Sequence, residues 1–107
     1  MRPRIMYIES KAESLNGPAT IGRVTFSKTG STLYYKDREF LKVGKSGYKY
    51  NYIDTNSREE YWISGPRRDG KDRLYVSNQP VDIDEDVRGE YWTQIRRRPD
   101  LIAKKHT

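Results

Sequence analysis

Residues 20–35 have the sequence TIGRVTFSKTGSTLYY, and this stretch decides the fold class. Within residues 20–27 the side chains alternate between two faces, with Ile21, Arg23 and Thr25 on one and Gly22, Val24 and Phe26 on the other. An alternation with a period of two is that of a β-strand and not of a helix. Residues 28–31 include turn formers, and residues 32–35 are again apolar and aromatic, so the stretch predicts a β-hairpin.

Further short candidate strands extend in both directions from this hairpin. With the hairpin included, they are predicted at residues 5–8, 20–27, 32–35, 40–43, 48–53, 59–64 and 73–76. Turn-forming residues separate them, and this spacing is typical of an antiparallel meander that curls in a small chain. The sequence therefore predicts a mainly β domain over residues 1–98, a small antiparallel barrel or curled meander sheet of SH3-like scale.

The last quarter of the chain has a helical period. Val87, Tyr91 and Ile95 recur every four residues, with Trp92 beside them. This spacing predicts one C-terminal α-helix over residues 84–97, whose apolar stripe covers an open end or a face of the barrel.

Charged residues lie at both ends of the predicted helix. Asp84 is the predicted N-cap, and residues 96–98, all Arg, lie in the last turn, where the helix dipole favours cations. Pro99 is expected to end the helix, and residues 99–107 are expected to form a mobile basic tail.

The composition predicts an unusual core. Leu, Ile, Val and Phe together make up only 20 of the 107 residues, whereas the chain contains nine Tyr and two Trp. Tyr and Trp each bring a large apolar area together with a polar group that needs a hydrogen-bond partner. We therefore expect a folded domain whose core is built partly of Tyr.

Several classes of function are disfavoured by what the chain lacks. It has no Cys, which excludes a disulfide framework, a Cys-based zinc site and a thiolate nucleophile. Its single His is His106, so a metal site built mainly of His is excluded as well. It also has no apolar run of about 18 residues and no apolar signal-peptide core. We expect no cofactor, no metal, no catalytic site, no membrane association and a cytoplasmic location.

Two apparent catalytic motifs have simpler explanations. Residues 65–72, GPRRDGKD, match the phosphate-loop pattern G-x-x-x-x-G-K until the last position, where Asp72 replaces a Ser or Thr and would repel phosphate. A hairpin turn at residues 69–70 is the better interpretation. Glu59 and Glu60 are adjacent on a predicted strand, so their carboxylates diverge and cannot form a catalytic pair.

The net charge of +6 lies in one half of the chain. Residues 1–53 hold ten Lys+Arg and four Asp+Glu, whereas residues 54–107 hold eleven of each. Within residues 34–52 cations are interleaved with aromatic residues. The candidate nucleic-acid-binding residues are Tyr34, Lys36, Arg38, Lys42, Lys45, Tyr48, Lys49 and Tyr50. Because cations neutralise phosphates and aromatic rings stack on unpaired bases, this pattern predicts a non-enzymatic binding module for single-stranded nucleic acid.

Two alternatives remain open. A small barrel needs Tyr in its core and Lys and Arg on its surface, so the same pattern fits a purely structural role. The acidic residues 82–86 near the basic residues 96–98 also fit a protein-interaction module, such as an inhibitor or immunity-type protein, that uses Trp62 or the helix.

Tyr34 and Tyr35 point to opposite faces of a strand, so only one of them can be interior. The pattern does not define an oligomeric state.

Several segments resemble a family of small uncharacterised bacterial proteins. They are IGRVTFSKTG at 21–30, LYY at 33–35, EYWISG at 60–65, DRLY at 72–75, DEDV at 84–87 and EYW at 90–92. The resemblance covers residues 4–98 and implies a bacterial, cytosolic protein without assigned site residues. Members sometimes carry the label of a deoxyxylulose-phosphate synthase. Such an enzyme needs a thiamine diphosphate site built from several hundred residues, so this label does not fit a chain of 107 residues and the resemblance implies no activity.

Overall fold

The computed structural model describes residues 3–12, 17–43, 50–73 and 79–107. It contains seven strands in these ranges, namely β1 (Arg4–Ser10), β2 (Ala19–Phe26), β3 (Thr32–Tyr35), β4 (Arg38–Lys42), β5 (Tyr52–Asp54), β6 (Glu60–Ser64) and β7 (Asp82–Ile83). Strands β1 to β6 each pair antiparallel with the next, and β6 returns to pair with β1. The mainly β class and the antiparallel barrel are confirmed.

Strand β7 lies outside the closed barrel and runs parallel to β2. The predicted strand 73–76 falls largely on residues outside the described part of the chain. The predicted strand 48–53 is a strand only from Tyr52 onward among the residues that are described.

The register divides the side chains between the inside and the outside of the barrel. Ile8 lies opposite Ile63, and Leu33 lies opposite Phe40, so these four side chains share the inner face. The inner core consists of Met6, Ile8, Val24, Leu33, Phe40, Tyr52 and Ile63, with Phe26, Tyr35 and Tyr61 packed against it. Tyr35 turns inward while Tyr34 is exposed, which confirms that only one of the pair is interior.

A second core covers the outer wall formed by β1 and β2. It consists of Ile5, Tyr7, Ala19, Ile21, Val81, Ile83, Val87, Tyr91 and Trp92, with Trp62, Ile95 and Leu101 packed against it. Of the seven Tyr in the described residues, the two cores bury three, namely Tyr7, Tyr52 and Tyr91, as the thin aliphatic supply predicts.

The C-terminal helical segment provides much of this outer core. It begins with a 3-10 turn at Glu85–Val87, continues as one α-helical turn, α1 (Arg88–Glu90), and ends as a π-helical turn at Tyr91–Ile95. The segment is therefore shorter than the predicted α-helix 84–97 and is not regular. Its apolar stripe packs on a face of the barrel, with Val87 and Tyr91 fully buried.

The residues at the two ends of this segment make contacts other than those that the sequence predicts. Asp84 occupies the N-cap position, but its side chain makes no capping hydrogen bond. Its carboxylate instead accepts a hydrogen bond of 2.5 Å from the Tyr35 hydroxyl and lies 3.6 Å from Lys36 Nζ. The helix ends before Pro99, because Arg97 adopts a left-handed φ of 55° and the Arg98 N–H donates to the Trp92 carbonyl.

The C-terminal residues 99–107, which the sequence predicts to be a mobile tail, pack onto the domain. After a 3-10 turn at Pro99–Leu101, the carbonyl of Lys104 accepts a hydrogen bond of 2.9 Å from the Trp92 indole N–H. The carbonyl of Lys105 accepts from the Ile83 N–H, also at 2.9 Å. Because these are backbone acceptors, the identity of the side chains in this segment does not reveal them.

A buried polar cluster lies on the outer wall next to the second core. The Glu9 carboxylate is fully buried and accepts hydrogen bonds from the Tyr7 hydroxyl, from Lys11 Nζ at 2.7 Å and from the Gly17 N–H at 3.1 Å. Arg73 Nη1 lies 3.4 Å from the same carboxylate and donates to the Gly17 carbonyl at 3.0 Å. Burial, and then the hydrogen bond to Glu9, raise the pKa of Tyr7. The cluster joins β1 to two loop segments.

None of the helices in the described residues is long and apolar enough to span a membrane.

Candidate nucleic-acid interface

The closed meander brings alternate strand ends together at two opposite ends of the barrel. At one end, here called the cleft end, β1 and β5 begin and β2 and β4 end. At the other, here called the Asp84 end, β3 and β5 end and β4 and β6 begin. Two residues four apart on one strand are separated by about 13 Å, so a single strand can contribute to both ends.

Lys36 and Arg38, two of the predicted phosphate contacts, lie at the Asp84 end and are already paired. Lys36 Nζ lies 3.6 Å from Asp84 and 5.3 Å from the centroid of the Tyr35 ring. Arg38 Nη1 lies 2.5 Å from the Tyr61 hydroxyl oxygen and 3.4 Å from the Asp54 carboxylate, which is buried. A phosphate binding here would have to compete with both carboxylates.

Tyr34, the first predicted stacking residue, lies on the outer wall of the barrel. It is 41% exposed and faces Thr25 on one side and Glu39 on the other. Leu41, which is 49% exposed, is its diagonal neighbour on the same face. This part of the wall is a polar and apolar surface with a carboxylate, not a basic one.

Lys42 lies at the cleft end, directly opposite Tyr52 in the β4–β5 pair. A cleft of about 660 Å³ opens beside it. The cleft is lined by Arg4, Met6, Phe26, Lys28, Thr29, Gly30, Lys42 and Tyr52. The described lining therefore combines three cations with two aromatic rings and a thioether, and none of these described residues carries a carboxylate.

The cations that line the cleft differ in their ion pairing from Lys36 and Arg38 at the Asp84 end. Within the described ranges, none of Arg4, Lys28 and Lys42 forms an ion pair with a carboxylate. Phe26 is half-buried, whereas Tyr52 is only 5% exposed, and burial raises the pKa of the Tyr52 hydroxyl. An anion with an attached flat apolar group fits this combination of cations and aromatic wall.

The predicted set of eight residues is thus divided by the structure. Lys42 lies in the cleft, Lys36 and Arg38 lie at the opposite end, and Tyr34 lies on the wall between them. Lys45, Tyr48 and Lys49 fall outside the described residues, and Tyr50 is half-buried just before β5. The prediction of one continuous basic-aromatic face over residues 34–52 is therefore corrected, because β3 and β4 carry these side chains to both ends of the barrel.

Two cations of the cleft, Arg4 and Lys28, are absent from the predicted set. Arg4 opens β1, and Lys28 lies in the turn between β2 and β3. Both belong to the basic half of the chain. The predicted strand order could have indicated both residues. A closed antiparallel meander places the start of β1, the turn after β2 and the end of β4 at the same end of the barrel.

Two of the three basic residues at 96–98, Arg96 and Arg98, make specific contacts within the chain. The Arg96 guanidinium lies 5.1 Å from the centroid of the Trp92 ring and donates to the Tyr91 hydroxyl at 3.3 Å. Arg98 forms an ion pair of 2.9 Å with Asp100. Burial raises the pKa of Tyr91, which the neighbouring Arg96 partly opposes.

The phosphate-loop-like segment forms a turn, while the second strand of the predicted hairpin, 73–76, lies largely outside the described residues. The Gly70 N–H donates to the Arg67 carbonyl, and Gly70 has a φ of 74°, which favours glycine. The Asp72 carboxylate is buried and accepts a hydrogen bond of 2.6 Å from the Arg67 N–H. The backbone N–H that such a motif would offer to a phosphate is therefore occupied.

The residues suggested for a protein interface are partly engaged within the chain. Trp62 packs against the outer core, and Arg23 bridges the acidic residues of the helical segment, at 3.0 Å from Glu90 and 3.9 Å from Asp86. Within the described ranges, no three His, Asp or Glu residues are grouped so that they could hold a metal ion.

No family model, curated protein or solved structure matches the chain. The resemblance to small bacterial proteins, the cytoplasmic location and the lack of catalysis therefore stay predictions.

Proposed function

We propose that the protein is a non-enzymatic binding module for single-stranded nucleic acid and that it binds at the cleft end of the barrel. The observation that carries this proposal is the contrast between the two ends. Arg4, Lys28 and Lys42 line the cleft with no carboxylate among its described lining residues, whereas Lys36 and Arg38 are paired with carboxylates at the other end. Cations of one sign around an apolar wall are the arrangement that binds phosphates beside an unpaired base.

The number of cations sets the expected salt dependence. If the three cations each neutralise one phosphate of a single strand, log K falls with log salt with a slope of about −2. Between 50 and 200 mM salt the affinity should therefore fall about 20-fold.

The test is a fluorescence-anisotropy titration of a labelled oligothymidylate at several salt concentrations. Lys42→Gln should weaken binding and make the slope shallower by about 0.7, because one phosphate contact is lost. Lys71→Gln is the matched control, since Lys71 is exposed and does not line the cleft. Equal effects of the two substitutions, or no binding tighter than about 100 μM at low salt, would contradict the proposal.

A protein-interaction module remains the second candidate, and the exposed pair Tyr34 and Leu41 favours it. These two side chains adjoin one another on the outer wall, away from the cleft. Aromatic side chains are enriched in protein interfaces, where they provide much of the binding energy. A partner that survives nuclease treatment, and that is lost with Tyr34→Ser/Leu41→Ser but retained with Lys42→Gln, would support this candidate over the first.

A further inference from the structure

The size and the lining of the cleft indicate how much of a strand it can hold. The cleft, of about 660 Å³, is open to solvent and is comparable in volume with a site for one small organic ligand such as a nucleotide. A stacked run of bases or a duplex is much larger, so the rest of a bound strand has to lie outside the cleft. A base that enters the cleft is therefore separated from its stacked neighbours.

The aromatic residues lead to the same conclusion. Phe26 and Tyr52 are the aromatic residues among the described lining of the cleft, and Tyr52 is almost fully buried in the inner core. Phe26 is half-buried and so presents more ring surface. Tyr34, which is more exposed, lies on the outer wall and not at the cleft. The described surface thus offers one stacking position at the cleft and no row of aromatic rings along it.

The polar groups of the cleft surround this stacking position. Arg4, Lys28 and Lys42 come from the start of β1, the turn after β2 and the end of β4, so they approach the apolar lining from different elements. An internal nucleotide carries one phosphate on each side of its sugar. Three cations around one apolar pocket can therefore hold phosphates on both sides of the nucleotide, one cation to each phosphate, while the base enters.

We propose that the cleft is a single-nucleotide pocket, in which one unstacked base packs against Phe26 while Arg4, Lys28 and Lys42 hold the phosphates on either side. This inference rests on the proposed function and specifies its ligand. Sequence-tolerant binding follows, because every base presents a flat apolar face to the ring.

The experiment compares two strands that differ in one base. The first is a short strand of abasic deoxyribose phosphates, and the second is the same strand with one thymine at its centre. Fluorescence anisotropy at low salt should show that the single base tightens binding about 5-fold to 150-fold, the range expected from one base–aromatic stacking contact of about 1–3 kcal/mol. Further bases should add only the statistical gain from a larger number of equivalent positions.

The substitutions separate the base from the phosphates. Phe26→Leu keeps an apolar side chain of similar size but removes the ring, and it should abolish most of the gain from the single thymine. Lys42→Gln should weaken both strands by the same factor and leave that gain intact. A thermal melt of each variant confirms that the barrel is folded, and Phe26→Leu is preferred to Phe26→Ala because Phe26 packs against the inner core.

Each outcome has a distinct meaning. A gain from one thymine that disappears with Phe26→Leu supports the single-nucleotide pocket. Equal affinities of the two strands overturn the pocket but leave electrostatic strand binding in place. Affinity that appears only when many bases are present also overturns the pocket, because it requires a run of bases, while binding of single-stranded nucleic acid stands. Failure of every strand to bind at low salt overturns the proposed function itself.

Discussion

Replacing Glu9 by Gln should destabilise the fold more than any other removal of a single negative charge. The carboxylate is fully buried, and its cationic partners Lys11 and Arg73 have side chains that are only 2% and 8% exposed. Gln has nearly the same shape, but its single carbonyl oxygen can accept either the hydrogen bond that Tyr7 donates to one carboxylate oxygen or the bonds that Gly17 and Lys11 donate to the other. The substitution therefore removes the charge and one acceptor, and it leaves two buried cations without their counter-ion.

The expected loss follows from this burial. Breaking a buried ion pair by removing one partner costs about 3–5 kcal/mol, because the remaining charge is left uncompensated in a poorly solvated site. A domain of this length has a total unfolding free energy of about 5–16 kcal/mol. Glu9→Gln should thus remove a large share of the stability and lower the Tm by more than about 10 °C.

Urea unfolding followed by circular dichroism at neutral pH measures this loss. Glu59→Gln is the matched control, because it removes the same charge from an exposed side chain and should change the unfolding free energy by less than about 0.5 kcal/mol. In a double-mutant cycle, Lys11→Met added to Glu9→Gln should cost less than Lys11→Met alone, by about 0.5–3 kcal/mol.

A loss below about 1 kcal/mol for Glu9→Gln, or an additive double variant, would refute the reasoning. Either result would mean that the three charges are solvated or do not act as a unit.

Three further predictions concern other parts of the chain. Burial raises the pKa of Asp72 above its ordinary value of 3.8, so the folded state favours the protonated carboxyl. The contribution of Asp72 to stability is therefore fully present below pH 3.8 and is lost as the pH rises through the raised pKa. The unfolding free energy of Asp72→Asn relative to the natural protein should therefore rise with pH above about 4, and a flat difference in urea titrations would contradict this. Deleting residues 104–107 leaves the Trp92 indole N–H without its acceptor and should cost at least about 1–3 kcal/mol, whereas removing a mobile tail would have no effect on the Tm. In Gly22→Ala the new Cβ would lie 2.5 Å from Tyr35 Cε1, so we expect a loss of about 1–3 kcal/mol in chemical unfolding, and an unchanged midpoint would show that this close approach is absent.

Much of the barrel can be predicted from local pattern. The alternation in residues 20–27 and the turn formers that follow produce the β2–β3 hairpin, because period-two side chains and flexible turns are properties of neighbouring residues. The scarcity of aliphatic residues correctly indicates a Tyr-containing core, since some side chains have to fill the inner volume.

The C-terminal segment shows where local pattern fails. The spacing of Val87, Tyr91 and Ile95 identifies a helical segment, but not its 3-10 and π-helical turns or its end before Pro99. Its last residues are held by backbone hydrogen bonds to Trp92 and Ile83, and every sequence carries the same backbone acceptors.

The candidate site divides in the same way. By itself the sequence determined the approximate positions of the six barrel strands, the Tyr-containing core and the concentration of positive charge in residues 1–53, because these depend on side-chain type and on spacing along the chain. Only the tertiary structure decided which cations are free to bind. Closure of the meander placed Lys42 in the same cleft as Arg4 and Lys28. Packing of the helical segment brought Asp84 to Lys36 and to Tyr35, and Asp84 and Tyr35 are 49 positions apart in the sequence. The sequence alone gives the charge of each side chain. Whether a carboxylate neutralises that charge depends on the distance between the two groups, and only the folded chain brings their segments together.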